Sequence, residues 1–265
     1  MQGKKTDRPS LIYKPYLPGN WYSGVAARRG LKILGYQLIF IFVYLFLGQI
    51  LLFDVAWLRV LLNAVFVLAF AGLLYADGAK VGLDDVSFAE IALQRKESGK
   101  EITKAEVDRC YHPLKGVFTM AVGILPLLLI ALVFALITRE QVYRLGGLPS
   151  WLAGFERRAD IGLALQYYHE APQVGLEDVL RIIVRLSIFP FVNMVGTDSA
   201  GALHFLERLS PLLILVIPSG YPIGYLQGRR LRASVHGAIS TNAVKRQKRD
   251  RREKRRREKQ ENRLV

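Results

Sequence analysis

Three groups of residues have types and spacings that bear on function. Arg181, Arg185 and Asn193 lie in an otherwise apolar stretch, 178–195. Ionisable groups inside a bilayer are costly; they line ion or substrate paths or pair with one another. Glu177, Arg181 and Arg185 follow at spacing four, so one charged stripe runs up a helix there. The second group is the C-terminal tail, Gly228 to Val265, with fifteen Lys and Arg against Asp250, Glu253, Glu258 and Glu261. Its densest part is Lys245, Arg246, Lys248, Arg249, Arg251, Arg252, Lys254, Arg255, Arg256 and Arg257. Such a run suits neutralisation of a polyanion, which is largely independent of sequence. The third group is Gly220, Gly224 and Gly228, whose spacing of four lets a second helix approach closely, although Pro222 interrupts the motif.

Catalytic chemistry finds no such support. No H-E-x-x-H or G-x-S-x-G motif and no paired intramembrane aspartates occur. His112, His169, His204 and His236 are dispersed, and His169, beside Tyr167 and Tyr168, has no second ligand at metal spacing. We therefore expect no catalytic, cofactor-binding or metal site. Cys110 is the only cysteine, so no internal disulfide is possible, which fits a cytoplasmic or membrane setting.

The elements that would position these groups are membrane helices. The chain has 265 residues, 51% hydrophobic, with a formal net charge of +15. Long uncharged apolar runs place it among all-α integral membrane proteins. Residues 1–30 form a basic arm in which Tyr13, Tyr16, Trp21 and Tyr22 mark a headgroup level. The following apolar run is too long for a cleaved signal sequence and reads as a retained span. Residues 31–76 form a transmembrane hairpin turning at Asp54–Arg59, with Gly72 and Ala76 as a small-residue contact face. Asn63 is placed either to bond across helices or to sit near the headgroups.

Residues 77–113 predict a helical hairpin on the cytoplasmic side. Ser87 with Glu90, and Thr103 with Glu106, each match a capping box, and Gly99 separates them. Glu90, Glu97, Glu101, Glu106 and Asp108 are expected on a solvated face. Residues 114–137 form the strongest span, with Pro126 either kinking it or absorbed by its neighbours. An external segment follows, 138–208, with an interfacial stretch at Leu148–Ala153 and the 178–195 helix. A last span, 209–227, carries Pro211, Pro218 and Pro222 and leads into the basic tail, 228–265, helical or disordered.

Residues 1–32 carry seven Lys and Arg against Asp7. By the positive-inside rule both basic ends belong in the cytoplasm, which requires an even number of spans. We expect four, with 178–195 as an amphipathic or re-entrant helix. The expected role is a non-enzymatic scaffold or assembly partner of the cell membrane, homo- or hetero-oligomeric. Its lipid-facing spans meet the bilayer, and its tail meets anionic lipid, RNA or ribosome, or an acidic protein. Leu231, Val235 and Ile239 would lay the start of the tail on lipid, and the pairs Asp250–Lys254 and Glu253–Arg257 support a solvated helix beyond Lys245. The plain alternative for the tail is a topology anchor alone. The alternative for the whole chain is a small channel or transporter subunit using the Arg181/Arg185 segment and the broken last span.

Overall fold

A computed structural model describes residues 11–51, 53, 55–139, 155, 158–161, 175–196 and 200–264, with side chains described only as far as Lys254 at the C-terminal end. The stretch 148–153, the cluster at Tyr167–His169 and Asp54 lie outside the described residues. The described chain is all-helical. Its elements are α1 (Gly24–Ile50), α2 (Ala56–Glu97), α3 (Lys104–Arg109), α4 (Lys115–Ile137), α5 (Leu176–Ser187), α6 (Phe189–Val195), α7 (Ala200–Val216) and α8 (Gly220–Leu264). Four runs are long and apolar enough to cross a membrane: α1, α2, α4, and the run from Ala200 to Lys254. Their outward faces carry Phe42, Phe46, Leu68, Leu129 and Leu136, all exposed. In water this would be a large apolar patch; in a bilayer it is ordinary solvation by lipid.

The contacts divide the chain into two units. The first comprises Met1–Ile33, Ala71–Gly123 and Pro218–Val265. Its centre is Val86, Ala89, Ala92, Cys110, Tyr111 and Tyr225, with Tyr16 and Leu17 of the arm packed against them. Tyr111 stacks on Tyr225 at 5.2 Å between centroids. The arm has no regular structure, yet it is held by its backbone. Ile12, Leu17 and Gly19 donate their N–H groups to the carbonyls of Ala233, Ala89 and Tyr111, at 3.1, 3.1 and 3.0 Å. Within this unit α8 lies directly on α2. A Cβ added at Gly220, Gly224 or Gly228 would collide with the backbone at Ala71, Tyr75 or Gly82, and one at Gly78 would collide with Tyr221. A glycine on one helix at each contact, and on both at Gly228 and Gly82, is what permits this backbone approach.

Four expectations change here. Gly72 and Ala76 are exposed and Gly72 has nothing within 4 Å; the small-residue face of α2 is instead Ala71, Gly78 and Gly82. The hairpin at 77–113 does not begin with a new helix, because α2 continues unbroken to Glu97. Ser87 is therefore not a cap: it lies inside α2 and its hydroxyl donates back to the Leu83 carbonyl at 2.8 Å. Glu90 is buried rather than solvated. The second cap is as expected. Thr103 accepts from the Glu106 N–H while the Glu106 carboxylate accepts from the Thr103 N–H at 2.9 Å. Those hydrogen bonds hold the Glu106 carboxyl below its ordinary pKa. Gly99 ends the α2 turn with φ +81°, a conformation that disfavours any side chain.

The second unit comprises Leu34–Phe70 and Ile124–Ile217. Leu127, Ala131 and Phe134 of α4 form its core with Val184, Ile188 and Ile214. Helix α4 runs through Pro126 without a break. The stretch 178–195 divides into α5 and α6 at Ile188, whose φ and ψ are −108° and 18°. Pro190 enters the first turn of α6, where its missing N–H is no loss, and Gly196 closes that helix with φ +82°. The run expected as one last span divides similarly: α7 ends at Val216, residues 217–219 form a turn around Pro218, and α8 starts at Gly220. Pro222 falls in the first turn of α8, where N–H groups have no intrahelical partner.

Candidate functional site

Arg181 and Arg185 converge on a residue that sequence reading passed over. Glu207, near the middle of α7, is only 2% exposed. Its Oε1 accepts from Arg185 Nε at 2.7 Å and pairs with Arg185 Nη2 at 2.6 Å, with Arg181 Nε facing the same oxygen at 3.2 Å. Its Oε2 accepts from the Thr138 hydroxyl at 2.6 Å, and His204 Nδ1 stands 4.0 Å away. The far side of Arg181 donates to Glu177 at 2.6 Å and to the Arg139 carbonyl at 2.9 Å, with Asp178 at 3.4 Å. Two guanidinium groups thus meet three carboxylates. Buried charges persist only when paired and hydrogen-bonded in this way, and the arrangement ties α5 to α7. The signal available in sequence was the need for a counter-charge near Arg181 and Arg185, since Glu207 is the one carboxylate in the run 200–216.

Asn193 belongs to a different network. Its amide donates to the Tyr44 hydroxyl at 3.0 Å and to the Gly48 carbonyl at 3.2 Å. Tyr44 donates in turn to Asn63 Oδ1, and Asn63 donates to the Arg59 carbonyl at 2.7 Å. Asn63 is fully buried, which settles it as a cross-helix bond.

In the first unit two further buried carboxylates organise cations that no local pattern connects. Asp85 receives both Arg29 guanidinium nitrogens at 2.7 and 2.9 Å and the Tyr225 hydroxyl at 2.8 Å. Lys115 Nζ sits 3.3 Å from the same carboxylate and donates to the carbonyls of Asp108 and Cys110 at 2.8 and 3.0 Å. The ammonium's three donors are thereby used. Glu90 accepts from Arg232 at 2.9 Å and faces His236 Nε2 at 3.0 Å. Cys110 is fully buried, its thiol donating to the Glu106 carbonyl at 3.3 Å. Burial pushes that thiol's pKa up.

Gly220, Gly224 and Gly228 form the α8 side of the seam with α2 described above. The tail is the continuation of the same helix. Every described side chain from Asn242 to Lys254 is exposed, and Arg249 pairs with Glu253 at 3.0 Å. Leu231, Val235 and Ile239 are exposed as well. The helical register sorts the charges. At about 100° per residue, Lys245, Lys248, Arg249, Arg251 and Arg252 fall within roughly half the circumference of α8, while Asp250, Glu253, Arg246 and Lys254 fall on the other half. The side chains of Arg255, Arg256 and Arg257 lie outside the described residues.

Among the described residues no three His, Cys, Asp or Glu side chains are grouped to hold a metal ion. No protein-family model, curated protein or solved structure matches the chain.

Proposed function

We propose that this chain is a non-enzymatic scaffold of the cell membrane, with four spans and both termini cytoplasmic, whose distal α8 docks on a phosphate polymer such as RNA. The observation that carries this reading is the one-sided cationic face of an exposed, continuous helix. A tail serving only as a topology anchor needs charge but no sorting of charge by face. Arginine predominates in the distal run, and its planar fork matches phosphate oxygens bidentately. In the four-span reading, 178–195 stays on the external side. Its two helices of 12 and 7 residues reach about 18 and 10 Å, each shorter than the ~30 Å hydrocarbon core. A conducting path built on Arg181, Arg185 and Asn193 is less supported, because their donors are directed at Glu207, Glu177, Tyr44 and backbone carbonyls.

The test is sedimentation of the detergent-solubilised protein with polyuridylate and, separately, with polyglutamate, at low and high salt. The full-length chain and one truncated after Asn242 are compared. Full-length protein should carry polyuridylate down with an affinity that falls linearly in log salt, by about 0.7 per phosphate neutralised, and the truncated chain should not. Identical behaviour of the two chains at every salt concentration would overturn the docking reading. Preference for polyglutamate would replace RNA by an acidic protein.

A further inference from the structure

The cations at the start of the tail differ from those at its end in having aromatic neighbours. Arg229 lies 5.4 Å from the centroid of the Tyr13 ring and 5.3 Å from that of Tyr16, both within cation–π range. The arm is pinned beside it by the Ile12 N–H bond to the Ala233 carbonyl. Tyr13, Leu226, Arg229 and Arg230 line a groove of about 270 Å³. Three residues further on, Arg232 is neutralised by Glu90. Arg229 and Arg230 are exposed, and among the described residues neither forms an ion pair with a carboxylate. Their positive charge is left facing the groove.

What adjoins the groove specifies the ligand. Ile223 and Leu226 are 54% and 48% exposed and precede Arg230 by two turns and one turn on the same helix. An exposed apolar strip therefore runs directly into a pair of uncompensated guanidinium groups beside a tyrosine. A free anion would use only the second half of that surface, whereas an acidic phospholipid uses both. Its acyl chain covers Ile223 and Leu226 while its phosphate meets Arg229 and Arg230. We propose that this groove binds the phosphate headgroup of an anionic glycerophospholipid, independently of the distal tail and its partner.

The experiment is native mass spectrometry of the delipidated protein in mild detergent, titrated with phosphatidylglycerol or with phosphatidylcholine of the same chains. Three proteins are compared: the full chain, the chain truncated after Asn242, and the full chain carrying R229Q and R230Q. The first two should retain phosphatidylglycerol at roughly tenfold or greater preference, because the choline ammonium of phosphatidylcholine offsets its phosphate charge beside the two guanidinium groups, whereas phosphatidylglycerol keeps a net negative charge there. The double variant should lose the preference while still sedimenting with polyuridylate. If the double variant unfolds, R230Q alone is read instead, because Arg230 has no described partner to leave stranded. Equal binding of the two lipids, or a preference unchanged by the substitutions, overturns the proposal. So does displacement of phosphatidylglycerol by millimolar glycerol phosphate, which would mark the groove as a site for free phosphate esters.

Discussion

Glu207 is the residue on which the second unit's charges depend. Removing it leaves Arg181 buried beside Arg185 with no shared anion, and breaking a buried ion pair on one side costs about 3–5 kcal/mol. Glu207→Ala should therefore lower the thermal unfolding midpoint of the solubilised protein more than Arg185→Ala, because Glu207 without Arg185 still faces Arg181 and accepts from the Thr138 hydroxyl, whereas removal of Glu207 takes the shared anion from both arginines. An Arg185→Ala protein less stable than Glu207→Ala would contradict the assignment of Glu207 as the hub. The two arginines were legible as anomalies because they interrupt an apolar run. Glu207 was not, because it falls two residues before the segment that hydropathy marks as a span. Asp85 was less legible still: its partners Arg29 and Tyr225 lie 56 and 140 residues away, and nothing local distinguishes it from Asp84.

At the scale of elements, the seam between α2 and α8 makes the sharpest claim. A methyl at Gly224 would enter the backbone of α2 at Tyr75, and its nearest atoms cannot swing aside as a side chain would. Gly224→Ala should cost about 1–3 kcal/mol of overpacking strain. Gly72→Ala meets nothing and should be neutral or stabilising by up to about 1 kcal/mol through helix propensity. Thermal unfolding of both variants in the same detergent checks the contrast, and equal effects would place the contact elsewhere. The glycine spacing on α8 was readable from the sequence; its partner was not, since two stretches of α2 offered small residues four apart. The extent of α2 was misread for a related reason. Ser87 and Glu90 match a capping box in spacing, but a cap also needs the preceding residues to leave the helix, and Asp77–Val86 contains no residue that forces them to. Thr103 follows Gly99, which does.

For the whole molecule, the four apolar runs were legible because crossing a bilayer demands length and apolarity in one contiguous stretch. Orientation rests on the basic ends, and Cys110 is a poor reporter of it: the thiol is fully buried and its pKa is raised, so reagents would meet it only after unfolding. Ser98, exposed in the turn after α2, is the better position. In a Cys110→Ala background, Ser98→Cys should react with a membrane-impermeant maleimide only after the cells are opened. Labelling of intact cells would reverse the topology.

The unbroken course of α8 has a mechanical consequence. Its 45 residues extend about 67 Å at 1.5 Å per residue, and the glycine seam grips only the beginning. With no joint between the gripped turns and the exposed ones, the helix is a lever rather than a tether. A load taken up at its far end arrives first at Arg232 and His236 on Glu90 and then at the glycine seam, as torque on α2, so capture of a cytoplasmic partner would be felt by the membrane helices as a twist.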